Sequence, residues 1–217
     1  MPIDPKAPIE VTAFAWVPEF ARGQVRDLRV RWALEEAGLP YRTRLLGGER
    51  PAEYFREQPW GQVPAYNDGS VQLFESGAIA LHIAEQSEAL LPRDPAGRAR
   101  AIAWLFAALN TMEVPAMGYV VAAAFNADQP WSEGASGAFR EFLRGRLDRL
   151  GDWLGDKQWL EDRFTVGDLM MVATLRGEMI AAEAPDNVAA YIRRGEARPA
   201  FQRALAAQLA DFVTEPA

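Results

Sequence analysis

Trp60–His82, WGQVPAYNDGSVQLFESGAIALH, carries a Val-Pro step, a turn, a short strand and a helix start in immediate succession. Proline removes a backbone donor and can hold the bond before it cis, so Val63-Pro64 predicts a Val63 backbone turned outward as an edge that a peptide can pair with. Asn67-Asp68-Gly69-Ser70 reads as a hairpin turn, with Gly69 supplying a positive φ, between strands at Ala65–Asn67 and Val71–Phe74. Glu75-Ser76-Gly77 then opens an apolar helical run with Ser76 at the N-cap. The free N–H groups and dipole of such a helix attract a carboxylate, and Glu75 attracts an ammonium group. The stretch therefore predicts a pocket for one end of a small zwitterionic peptide. The plain alternative is that Pro64 bounds a strand and Ser76 caps a helix with no ligand nearby.

Outward from this stretch, Ile9–Trp16 reads as extended, Val25–Ala37 as helical and Tyr41–Leu45 as extended. Val30, Ala33, Leu34 and Ala37 have helical spacing, and Gly38 with Pro40 ends the run. A βαβ unit followed by ββα is the order of a thioredoxin-like domain. From about Arg93 onward helical spacing takes over, with Ile102, Leu105, Phe106 and Leu109 in one run and Phe139, Phe142, Leu143, Leu147, Leu150 and Leu154 in another. Asn126–Ser136 between them reads as a loop. Thr165-Val166-Gly167-Asp168 is a capping box opening another apolar helix. The expected fold class is α/β plus all-α, a thioredoxin-like domain at 1–89 followed by an all-helical domain at 90–217.

Composition narrows the function. The 217 residues are 49% apolar and 24% charged, enough for two small cores. A net charge of −7 argues against nucleic acid or an anionic membrane as the main partner. Arg22, Arg26, Arg29 and Arg31 form a local basic patch, read as a solvated helix face. With no cysteine there is no disulfide framework, zinc cluster or dithiol, which is read as excluding a glutaredoxin or disulfide reductase, since both need a protein thiol. MPIDPKAPIE lacks an apolar segment and no uninterrupted run of about eighteen apolar residues follows, so a secreted or membrane-spanning protein is not expected.

Gln62-Val63-Pro64, the hairpin and Glu75-Ser76 closely resemble the glutathione-binding half of the cytosolic glutathione transferases. VRWALEEAGLPY at Val30–Tyr41 resembles that family's first helix and its exit into the second strand. LLPRDPAGRARAIAW at Leu90–Trp104 resembles its interdomain linker, and the Thr165 box its C-terminal capping motif. The resemblance spans about Val11 to Leu209. It implies glutathione as co-substrate, with the Val63 backbone pairing to the cysteinyl part, the Gln62 side chain hydrogen-bonding the ligand, and Glu75 with Ser76 holding the γ-glutamyl end. Arg50 is the candidate for the glycyl carboxylate, since an arginine fork matches a carboxylate. A cytoplasmic homodimer is also implied, with the electrophile held by the first-strand loop and the helical domain. Trp16, Phe20, Phe106, Asn110, Glu113 and Met117 are candidate lining residues, although a core or a dimer face needs the same spacing.

The family places a Ser, Tyr or Cys near the end of the first strand to meet the ligand sulfur. The matching position here is Val17, and nothing from Ala13 to Pro40 is Ser, Thr, Tyr or Cys. Three readings compete: thiolate stabilisation by a helix N-terminus, by backbone N–H groups near Val17 or by Arg22 or Arg26; donation from the Trp16 indole; or binding of glutathione without conjugation. Thr12, the nearest hydroxyl, falls inside the first strand. His82, the one histidine, reads as structural, and scattered carboxylates do not make a metal site. The expected activity is attack of the glutathione thiolate on a small apolar electrophile. Glutathione-assisted isomerisation or dehalogenation is a variant, and a binding or interaction module is the alternative from another class.

Overall fold

The computed structural model describes residues 3–213. They divide into two compact units, one running to Leu90 and resuming at Arg198, the other Leu91–Ala197.

The first unit is built on a four-stranded sheet in the order β2-β1-β3-β4, with β1 Ile9–Phe14, β2 Tyr41–Leu46, β3 Ala65–Asn67 and β4 Gln72–Phe74. β1 and β2 are parallel and joined through α1, Asp27–Ala37; β3 runs antiparallel to both β1 and β4, and α2, Ser76–Glu85, follows. This is the thioredoxin-like arrangement. Gly38 closes α1 in the left-handed region at φ 69°. The hairpin turn is built by side chains: Asn67 Oδ1 accepts from the Gly69 N–H at 2.7 Å, and Asp68 Oδ1 accepts from the N–H groups of Ser70 and Val71 at 2.9 and 2.8 Å.

His82, on α2, reaches back to this turn, its Nε2 2.9 Å from Asp68 Oδ2. It is a latch between helix and hairpin. Burial alone would raise the Asp68 carboxyl, but hydrogen bonds from His82, Ser70 and the Val71 and Ser70 N–H groups outweigh it and hold the group well below its ordinary 3.8. A carboxyl whose folded-state pKa is depressed adds stability above the unfolded value and loses it as pH falls. The stability advantage of the unaltered chain over Asp68→Asn is therefore expected to shrink as pH drops below about 4. Urea unfolding at a series of pH values reads this, and an advantage that grew on acidification would contradict it.

α1 is buried along nearly its whole length, Asp27 to Glu35, so its polar residues need partners. They find them on α9, Pro199–Asp211, which belongs to this unit rather than to the helical one expected to hold everything after residue 90. Arg31 Nε and Nη2 bond Asp27 and Asp211 at 2.7 and 2.6 Å, Arg203 bonds Glu35 at 2.6 Å, and Arg198 grips Glu36 with two bonds of 2.5 and 2.8 Å. Trp32 meets Phe201 edge-on at 4.9 Å. The expected solvated patch is accordingly corrected: Arg31 is buried where α9 covers α1, and Arg29 is buried with its guanidinium toward Ser76 of α2.

The second unit is all helical: α3 Pro95–Phe106, α4 Glu113–Val120, α5 Ser132–Leu154, α6 Val166–Leu175, α7 Glu178–Ala181 and α8 Asp186–Glu196. Asp94 caps α3, accepting from the Gly97 N–H at 2.7 Å with Pro95 in the first turn. Wider π-helical turns at Ala107–Met112 and Val121–Phe125 make 95–125 one continuous helical stretch. By length and composition alone it could cross a membrane, an 18-residue window within it having a mean hydropathy of 1.3, yet Ala101, Leu105, Ala108, Met112 and Ala116 belong to the core of this unit. The expected loop 126–136 is shorter, since α5 already begins at Ser132.

The capping box opens α6 as the sequence predicts. Asp168 collects four donors, the Leu160 and Thr165 N–H groups at 2.9 Å each and the Tyr191 and Thr165 hydroxyls at 3.1 and 3.2 Å. Gly167 admits α3 closely: a Cβ there would lie 2.6 Å from the Trp104 Cβ.

Candidate functional site

Strand register gathers the candidate residues. Ala65 pairs with Phe74, so Pro64 and Glu75, the next residues outward, leave the sheet at the same end. β1 is antiparallel to β3 with Val11 opposite Tyr66, which carries the end of β1 and the following Trp16 and Val17 to that end as well. β2 runs parallel to β1 with Leu46 opposite Phe14, placing the segment that leads to Arg50 there too.

The Val63-Pro64 peptide is cis. Two buried hydroxyls hold the segment around it. Thr12 Oγ1 accepts from the Ala65 N–H at 2.7 Å, and the Tyr54 hydroxyl donates to the Gln62 carbonyl at 2.6 Å while lying 2.8 Å from Thr12 Oγ1. Gln58 adds a side-chain acceptor for the Trp60 and Gln62 N–H groups at 2.7 and 3.3 Å. Among the described residues neither the N–H nor the C=O of Val63 is hydrogen-bonded, which leaves a short free edge of main chain. The Gln62 side chain is exposed beside it. Thr12, which sequence reasoning placed in the strand, thus acts from beneath the site.

Glu75 is the one non-glycine residue with positive φ among the described residues, at φ 70° and ψ 113°. Such a conformation costs of order 1–3 kcal/mol and clusters at ligand sites. Glu75, not Ser76, is the N-cap of α2, and no side chain caps that helix; the expected cap is corrected, because a residue with helical backbone cannot sit outside the helix. Ser76 is the first helical residue, buried, and its hydroxyl receives a long 3.4 Å bond from Arg29 Nη1 of α1. A hydroxyl relieved of capping, the unpaired first N–H groups of α2 and a buried guanidinium make this corner favourable for a carboxylate, with exposed Glu75 alongside for an ammonium group. Sequence reasoning missed Arg29. The apolar spacing around it on α1 was the available signal that it faces inward.

Arg50 serves the loop it stands in: it donates to the Gly47 carbonyl, to Gly48 at 3.0 Å and to Gly61 at 3.1 Å, and its guanidinium lies 4.4 Å from the Phe14 ring centroid. Arg22 turns toward the C-terminal segment, with Nη2 3.4 Å from the Val213 carbonyl and the guanidinium carbon 5.9 Å from the Phe212 ring centroid. Val17 is buried, Trp16 is 37% exposed and Phe20 70% exposed. In the helical unit, the run Phe106, Asn110, Glu113 and Met117 crosses the π-helical turn, so plain α spacing does not describe it. Among the described residues no group of three or more His, Cys, Asp or Glu side chains is placed to hold a metal ion.

The chain resembles known proteins in sequence and in fold. The family "Glutathione S-transferase, N-terminal domain" matches residues 20–85. Glutathione S-transferase 4 of Zea mays is 35% identical over 105 residues, 45% of this chain and 46% of that protein. Disulfide-bond oxidoreductase YfcG of Escherichia coli K12 is 38% identical over 84 residues, 34% of this chain and 39% of that protein. The chain therefore spans less than half the length of these two relatives. Glutathione S-transferase GstA of Escherichia coli O157:H7 matches more widely, 29% identical over 77% of this chain and 82% of its own length. Among solved structures, a glutathione transferase family member from Pseudomonas fluorescens pf-5, described with two glutathione bound, superposes with a TM-score of 0.79 at 23% identity, covering 92% of this chain and 94% of that one.

Proposed function

Because this chain belongs to the glutathione S-transferase family, we propose that it binds reduced glutathione at the end of its sheet and directs the thiolate at a small apolar electrophile. The observation that carries the reading is the strand register that sets the free Val63 edge beside Glu75 and Ser76, with Glu75 held at positive φ. In this reading the Val63 main chain pairs with the cysteinyl residue and Gln62 hydrogen-bonds it. Ser76 and the first N–H groups of α2 take the γ-glutamyl carboxylate, Glu75 takes its ammonium, and Arg50 takes the glycyl carboxylate through Nη2. The sulfur lies toward Trp16, Val17 and Arg22. The thiol proton passes to water before attack, and the thiolate lone pair forms the new C–S bond as the electrophile's leaving group departs with its bonding pair, so the protein forms no covalent bond of its own. A cytoplasmic homodimer accompanies the reading, and light scattering of the purified protein tests the dimer.

Calorimetric titration with reduced glutathione tests the site. One-to-one binding with a dissociation constant of about 1 mM or tighter, some 4 kcal/mol, is expected for the unaltered chain. Ser76→Ala is expected to weaken it by about 10- to 100-fold, the loss of one hydrogen bond to a charged group. No binding at saturating ligand would overturn the reading in favour of an interaction module that keeps the fold alone.

A second reading is favoured by the relative described as a disulfide-bond oxidoreductase. Exchange through a protein thiol remains excluded, but glutathione can itself supply the thiols: its thiolate attacks one sulfur of a disulfide and the other leaves as thiolate. Glutathione-dependent reduction of a small disulfide, against conjugation of an aryl halide, separates the two.

A further inference from the structure

The β1–α1 loop, residues 15–26, has no hydroxyl or thiol to offer a sulfur, yet its backbone is fastened from one direction at several points. Ala15 is tied on both sides: its N–H donates to Leu46 at 3.0 Å, continuing the β1–β2 pairing, and its carbonyl accepts from the Val213 N–H at 2.9 Å. In mid-loop, Arg22 donates to the carbonyl of the same Val213 at 3.4 Å. At the far end, Gln208 of α9 donates to the Val25 carbonyl at 3.1 Å and to Asp27 at 2.7 Å. One short C-terminal stretch, Gln208–Val213, thus grips the start, middle and end of the loop. Between these grips, the N–H groups of Trp16 and Val17 have no hydrogen-bond partner among the described residues. They are two main-chain donors in succession just past Ala15.

We propose that Gln208–Val213 is the positioning element for this loop, and that it holds the Trp16 and Val17 N–H groups as the donors that stabilise the glutathione thiolate in place of a side-chain hydroxyl. The proposal rests on glutathione binding as read above. Preorganised main-chain donors stabilise a developing anion only when their backbone cannot relax, and here the restraint comes from a segment nearly two hundred residues away in sequence. Arg22 is then a positioning residue that acts through Val213 rather than a partner of the sulfur.

Val213→Pro tests this by deleting a single donor. Phe212 already has φ −77° and ψ 124°, the extended conformation that a following proline requires, so the substitution removes the N–H with little disturbance to the backbone before it. The readout is the pKa of the bound glutathione thiol, from its thiolate absorbance across pH, beside calorimetric affinity and thermal melting. In Val213→Pro the bound thiol is expected to titrate about one unit higher than in the unaltered protein while affinity changes by less than about threefold. Val213→Ala, which keeps both main-chain groups, is expected to titrate with the unaltered protein. Should Val213→Pro fail to fold, a chain ending at Phe212 removes both the Val213 N–H and the carbonyl that Arg22 bonds, and is expected to raise the bound thiol's titration by at least as much. A bound thiol that titrates identically in the proline variant, or one that in the unaltered protein titrates like free glutathione, overturns the proposal and leaves glutathione binding standing. Absence of glutathione binding in the unaltered protein overturns both.

Discussion

Replacing Arg31 with methionine is expected to lower the free energy of unfolding by about 3–5 kcal/mol, because it strands a buried carboxylate. The Arg31 side chain is fully buried and bonds Asp27 and Asp211. Burial pushes the Asp27 carboxyl up, and Arg31 is the main influence opposing that rise, ahead of Gln208. Methionine fills similar space and removes the charge, so the loss reports the abandoned Asp27 rather than a cavity. Adding Asp27→Asn to Arg31→Met is expected to restore part of the stability, since an amide has no charge to leave unpaired. Urea unfolding of the single and double variants measures this. A loss below about 1 kcal/mol for Arg31→Met would show that the α1–α9 ion pairs do not hold the first unit together.

Asp168→Ala is expected to cost about 3 kcal/mol or more in the same assay, against about 1 kcal/mol for Thr165→Ala, which removes only the cap. The alanine leaves three buried donors without that acceptor, two of them main-chain N–H groups, and leaves the Tyr191 hydroxyl only its long 3.5 Å bond to the main-chain carbonyl of residue 168. Burial raises the Asp168 carboxyl to about 6 against the pull of those donors, so relief of a buried charge offsets part of the loss. The orphaned donors decide the sign. Equal effects from the two substitutions would mean that Asp168 acts as a helix cap and nothing more.

Local chemistry made parts of both units legible. The hairpin, the helix stop at Gly38 and the capping box at Thr165 each depend on neighbours in sequence, and each is found where the residues predict it. The segments proposed to hold glutathione could be singled out for the same reason, since Val63-Pro64 and Glu75-Ser76 lie within one short stretch. What was not legible depends on long-range packing. Arg29 and Arg31 read as a surface patch until α2 and α9 pack on α1, and helical periodicity cannot say which helices will do so. Arg22 read as a partner for sulfur because it stands near a helix start, whereas its direction is set by Val213. Ser76 read as a cap because serine usually is one; the positive φ of Glu75 displaces the cap by one residue, and glutamate gives no signal of that conformation.

The return of the chain to its first unit has a consequence for synthesis. During translation β1 through α2 leave the ribosome first, followed by the whole of Leu91–Ala197, and α9 only after that. Through that interval the face of α1 bearing Arg31 and Trp32 waits for the residues that will neutralise and cover it, while the helical unit already has every element it needs. The nascent chain therefore completes its middle before its beginning, and a ribosome stalled before Arg198 would present a sheet whose central helix is still uncovered, a ready target for chaperones.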